Sequence, residues 1–75
     1  NAPTNTRSVK VREMPIDLCQ FIKFGGLAGS GGEAKQLVAE GSVHLNGVVE
    51  LQKRKKLAVG DRVTVNGQTI VVELG

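Results

Sequence analysis

Two Asn-Gly dipeptides, Asn46-Gly47 and Asn66-Gly67, each sit between short alternations of apolar and polar residues. Asn and Gly tolerate positive φ at little steric cost. A two-residue turn of this kind therefore forces the flanking segments back on each other as a hairpin. In the second hairpin the register closes with Val65 opposite Gln68, Thr64 opposite Thr69 and Val63 opposite Ile70. In the first, Val43-His44-Leu45 enters the turn and a two-residue loop would pair Val43 with Glu50, so that register stays open. Gly60-Asp61 provides a turn between the two hairpins.

Before Gly41 the apolar period is that of helices. Leu18, Phe21 and Ile22 fall at i, i+3 and i+4, with Pro15 suited to a first helical turn and Gly25-Gly26 to a stop. Ser30 to Glu33 has the form of a capping box, in which the Ser30 hydroxyl accepts from the Glu33 amide and Glu33 reaches back. Ala34, Leu37 and Val38 form the apolar stripe of this second helix, and Gly41 is placed as its left-handed cap. The alternation Val9-Lys10-Val11-Arg12 suits a further short strand at the N-terminal side. The expected fold is α+β, with two short helices packed on a small antiparallel sheet of two hairpins, to which this strand is a candidate addition. Residues 1–8 read as a flexible tail and 9–75 as one domain.

Composition narrows the function. At 75 residues the chain has no room for a catalytic domain beside a binding module. Cys19 is the only cysteine, which excludes an intramolecular disulfide and a multi-cysteine zinc site. It reads as a small core residue, and Phe21 and Phe24 read as core as well. No apolar run approaches 18 residues, and the expected setting is a reducing cytosol with no membrane partner. No cofactor, metal or small-molecule substrate is expected, because no acidic pair, nucleophile–base pair or ligand cluster stands out.

Charge is the remaining signal. The net charge is +3, yet Arg7, Lys10 and Arg12 together with Lys53-Arg54-Lys55-Lys56 hold seven of the ten cations without one acid among their neighbours in residues 1–12 and 53–56. Such clustering suits a localised surface for an anionic polymer, with a solvated loop as the plainer alternative. Gly29-Ser30-Gly31-Gly32 leaves the start of the second helix uncovered, and Lys35 lies beside Gly31 and Gly32 on its flank. No Gly-Lys-Ser/Thr follows, so this is not a P-loop. His44 is a strand surface residue, with a base or phosphate contact as its alternative role.

The stretch from Gly29 to Gly47, with Gly60-Asp61 further on, resembles the S-four RNA-binding domain, named after ribosomal small-subunit protein four. The shared features are a Ser-capped helix with Ala and a basic residue, an aliphatic pair, Gly, and then a Val-x-Val/Leu-Asn-Gly turn, here Val43 to Gly47. The resemblance runs from about Ile16 to Val65, and the whole chain looks most like small stand-alone bacterial members of that family. It implies an RNA-binding module that recognises structured RNA, ribosomal or transfer-RNA-like, with the ribosome as a candidate partner. Docking on a ribosomal or RNA-processing protein is the alternative. By position it implies an RNA surface made of Ser30, Lys35, Gln36, Asn46 and the run Lys53, Arg54, Lys55 and Lys56, to which the uncovered helix start at Gly31 and Gly32 and the strand residue His44 add the remaining candidates. One departure matters: the family commonly has Arg after the capping Ser, where this chain has Gly31. Asn46 also has a simpler reading, in which it serves only the turn.

Overall fold

A computed structural model describes residues 5–75. In chain order the elements are β1 (Asn5–Val11), β2 (Ile16–Asp17), α1 (Leu18–Phe24), α2 (Gly31–Ala39), β3 (Val43–Leu45), β4 (Val48–Val49), β5 (Lys56–Leu57), β6 (Arg62–Val65) and β7 (Gln68–Leu74). Five strands form one sheet in the order β1-β7-β6-β3-β4, and β2 pairs with β5 in a separate two-stranded ribbon. Both helices cover one face of the large sheet, giving the expected α+β class.

The hairpins follow from their turns. Asn46 and Gly47 have φ of 53° and 86°, Asn66 and Gly67 of 50° and 80°, so each pair occupies the left-handed region at both central positions. The β6–β7 register pairs Val65 with Gln68, Thr64 with Thr69 and Val63 with Ile70, as the turn requires. In the first hairpin His44 faces Val49 and Leu45 faces Val48, and the Glu50 amide donates to the Val43 carbonyl. The register left open is therefore that of the two-residue turn. The Val63, Val65, Ile70 and Val72 side chains then point to the helices, with Val43 beside them, and all are buried. Leu18, Phe21 and Ile22 of α1, with Ala34 and Val38 of α2, complete the core from above.

Both helices end in the same way. At α2 the Ser42 amide donates to Leu37 and the Gly41 amide to Val38, with Gly41 at φ 77°. At α1 Leu27 donates to Ile22 and Gly26 to Lys23, with Gly26 at φ 80°. These are paired Schellman motifs, and each needs a residue free to take positive φ. The α2 start departs slightly from a reciprocal capping box. Ser30 Oγ accepts from the Glu33 amide at 3.2 Å, but Glu33 reaches one residue further and accepts from the Gly29 amide at 2.7 Å.

Four expectations need correction. The segment 1–8 reads as a tail, yet residues 5–8 belong to β1; residues 1–4 lie outside the described residues. The sheet is mixed and not purely antiparallel, because β1 runs parallel to β7, pairing Val9 with Val72 and Val11 with Leu74. Arg7 hides the start of this strand. It occupies a position that faces the helices, where an apolar residue would be expected, and its guanidinium donates to the Gly25 carbonyl. Pro15 lies outside α1, because Ile16 and Asp17 are extended and pair with Leu57 and Lys56 before the helix begins. Phe21 is fully buried as expected, whereas Phe24 is 61% exposed and is not a core residue.

Candidate nucleic-acid interface

The segment Lys53–Lys56 is fixed from within by its backbone. The Leu18 amide donates to the Lys55 carbonyl at 2.9 Å and the Cys19 amide to the Lys53 carbonyl at 3.4 Å. Carbonyls of the basic loop thus satisfy amides that α1 leaves open at its start. With carbonyls turned towards α1, the loop is held against the helix while its side chains stay exposed.

The result is a cleft of about 400 Å³ between α1, the start of α2 and this loop. Gln20 and Lys23 line it from α1, one turn apart. Gly31 and Lys35, also one turn apart, line it from α2, and Lys53 and Arg54 close it from the loop. Asp17 is the one acid among the lining residues, and its Oδ1 accepts from Lys56 Nζ at 2.6 Å. Among the described residues Lys23, Lys35, Lys53 and Arg54 make no ion pair, so four cations meet one carboxylate that is already neutralised. Like charges held this close repel each other, and an anionic polymer relieves that repulsion.

Two titrating groups register this field. The hydrogen bond from Lys56 holds the Asp17 carboxyl below its ordinary value of 3.8; desolvation opposes this, and the charges of Lys56 and Arg54 add to it. Burial pushes the Cys19 thiol up, while the nearby charges of Lys35 and Lys53 pull it back. Cys19 is buried with the core, as its sequence position suggests. Because the folded Asp17 value is depressed, its contribution to stability is present above the ordinary carboxylate value. It is lost as pH falls through the depressed folded value. Lys56→Ala is therefore expected to be less stable than the parent in urea titrations at neutral pH, with the gap closing once pH drops well below about 3.8. A gap that persists at about pH 2 would mean that Lys56 acts through packing and not through this pair.

The structure sorts the residues singled out in the sequence. Gly31, Lys35, Lys53 and Arg54 converge on the cleft. Lys55 is exposed next to it, and Lys56 is committed to Asp17. Ser30 is engaged as the helix cap, and Gly32 is exposed beside it. Gln36 lies on another flank of α2, where Nε2 donates to Glu40 Oε1 at 3.1 Å and Glu33 is close by. His44 pairs with Thr64, on the sheet face turned away from the helices, so the sheet separates it from Lys35. Asn46 interlocks two turns: its Oδ1 accepts from the Arg62 amide at 3.0 Å and its Nδ2 donates to Asp61 Oδ1 at 3.3 Å. Asp61 Oδ2 in turn accepts from the Ala58 amide at 2.9 Å. Asn46 thus has an internal structural role.

Lys23 and Gln20 are missing from the sequence-based set. Lys23 is a single cation in a stretch with net negative charge, and nothing in its neighbourhood marks it. The available signal is helical spacing: Cys19, Gln20 and Lys23 fall on adjoining positions of the α1 surface, beside the buried stripe.

A basic cleft built by two glycine-capped helices on a mixed sheet places this chain in a recognised class. Residues 9–73 match the S4 domain model, and the chain belongs to that family. Its relatives include the YbcJ proteins of Escherichia coli K12 and Shigella flexneri, each 39% identical over 57 residues, which is 76% of this chain and 81% of the relative. The solution structure of YbcJ from Escherichia coli superposes with a TM-score of 0.65 at 33% identity, covering 99% of this chain and 91% of that one. That structure is described as revealing an alfaL motif involved in RNA binding. Among the described residues no helix is long and apolar enough to cross a membrane.

Proposed function

We propose that this protein is an RNA-binding module of the cytoplasm. It grips structured RNA by its phosphates and its shape, and carries out no reaction of its own. The observation that carries this reading is the convergence of Lys23, Lys35, Lys53 and Arg54 on one cleft whose only carboxylate is already paired. Membership of the S4 family and the RNA binding described for YbcJ support it. Phosphate contacts fix register and orientation, and A-form RNA is recognised mainly by backbone and shape across its wide minor groove. A cleft rich in point charges and poor in base-reading groups suits that mode. Ribosomal RNA, transfer RNA and the assembled ribosome are the candidate targets.

The test is a titration of labelled RNA hairpin across a salt series. Four phosphate contacts predict that log affinity falls with log salt with a slope of roughly −3 to −4. Absence of binding at low salt, or a flat slope, would move the function to protein docking, for which Val48 and Leu51 offer exposed apolar surface on and beyond the β4 edge.

A further inference from the structure

A second hollow, of about 510 Å³, lies on the other side of Gln20. Phe24, Pro15 and Ile16 give it apolar walls, and Arg12 and Glu13 also line it. Gln20 lines both this groove and the cationic cleft, so the two adjoin at a single side chain. On α1, Gln20 lies one turn before both Lys23 and Phe24, so the cation and the aromatic ring project from neighbouring positions of the same helix. Phe24 is one of only two aromatic residues in the chain, and it stays 61% exposed while Phe21 fills the core. Exposure alone is ordinary for an apolar side chain; what sets Phe24 apart is its place on the wall of a groove beside the cationic cleft.

From this arrangement we infer that the groove beside Phe24 takes one unpaired base from the bound RNA. The inference rests on the RNA-binding reading above and adds to it the feature that the site selects. The backbone of a paired stem lies across Lys23, Lys35, Lys53 and Arg54. At a bulge or helix–loop junction one base leaves the stem, passes Gln20 and stacks on the Phe24 ring. Every base offers a π face, so an aromatic surface next to phosphate-binding cations is suited to an unstacked nucleotide. Arg12 adds a cation for the flanking phosphate, and Glu13 adds an acceptor for an exocyclic amino group. A protein partner would use the apolar walls alone and would leave the four adjoining cations without a role.

The test compares two RNAs, a fully paired hairpin stem and the same stem with a single bulged adenine. The parent is expected to bind the bulged stem more tightly. Phe24→Ala is expected to weaken the bulged stem roughly tenfold and to leave the paired stem unchanged. Phe24 is largely exposed, so this variant keeps the fold, which circular dichroism would verify. The chain has no Trp and no Tyr, so Phe24→Trp places the sole indole in the groove. Its emission should be quenched by the bulged stem and not by the paired one. Equal affinity of the parent and Phe24→Ala for the bulged stem, or unchanged indole emission at saturation, would overturn the inference while leaving the RNA-binding reading standing. Emission that responds only to rising protein concentration would overturn it in favour of contact with a second copy of the chain. Failure of the parent to bind either RNA would remove the RNA-binding reading, and this inference with it.

Discussion

Replacing Lys23, Lys35, Lys53 and Arg54 together with alanine is expected to lower affinity for structured RNA by on the order of a thousandfold at about 0.1 M salt. The size follows from counterion release. Each phosphate contact contributes roughly 0.7 to 0.9 to the slope of log affinity against log salt, so four contacts contribute about 3 logarithmic units per tenfold change in salt. The variant should also show a slope near zero, and the two curves should approach each other towards 1 M salt. The double variant Asp17→Asn, Lys56→Ala is the internal control. It removes a paired cation together with its carboxylate, so the net charge of the cleft is unchanged and affinity and slope should move far less than on loss of Lys53 or Arg54. Gly31 gives the opposite test. A Cβ built there meets no heavy atom within 4 Å, so a side chain can start from this position without a clash. Gly31→Arg would put a fifth cation at the cleft and is expected to tighten binding several-fold and steepen the slope by about one unit. If the quadruple variant keeps the parent's slope, the cleft is not the binding surface.

Gly25→Ala is expected to cost about 2 kcal/mol of stability and lower the melting temperature by roughly 10 °C, although it adds one methyl group at an ordinary φ of −78°. The reason is proximity. The new Cβ would lie 2.6 Å from Ile70 Cδ1, 3.3 Å from the Phe21 carbonyl and 3.5 Å from Val9 Cγ2. Ile70 is fully buried, so close-packed neighbours leave its terminal methyl little room to turn aside. A domain of this size has only about 5 kcal/mol to lose. Ile70→Val removes the colliding atom. By itself it should cost about 1 kcal/mol, but combined with Gly25→Ala it should recover part of the loss. Thermal and urea melts of the two single variants and the double variant would show it. Strictly additive costs would mean that the C-terminal end of α1 is free to lift off the sheet.

How far each element could be read beforehand depended on how local its cause is. The hairpins and both helix ends are written in a few adjacent residues: Asn46-Gly47, Asn66-Gly67, Ser30 with Glu33, Gly26 and Gly41. Their geometry follows from φ preferences and nearby hydrogen bonds, so the caps and the β6–β7 register were visible in the sequence, while the register of the first hairpin stayed open until the Glu50 amide was seen to donate to the Val43 carbonyl. β2 and β5 are two residues each and exist only because distant segments meet. No local pattern marks them, and they in turn displace Pro15 from the helix. The cleft was half legible. A run of four cations is conspicuous, whereas Lys23 gains its role only when α1 is laid beside α2. Gln36 and His44 illustrate the converse. They follow family-like positions in the sequence, but one extra step around a helix or along a strand turns a side chain to a different face. Phe24 was misread for a related reason, since apolar character alone does not tell a core ring from one left at the surface.

The parallel pairing of β1 with β7 has a consequence for the order of events in folding. Each residue of β1 meets a partner 63 positions later, from Asn5 with Gln68 to Val11 with Leu74. The hairpins and both helices can form from contacts within a few residues, but this edge of the sheet closes one of the longest loops the chain allows. During synthesis β1 emerges first and waits, unpaired, until β7 has cleared the ribosome. Arg7 and Lys10 are charged residues on that strand, and charge on a solitary strand discourages pairing with a neighbouring chain in the interval. That effect of Arg7 and Lys10 on a solitary strand is separate from the cations that form the cleft.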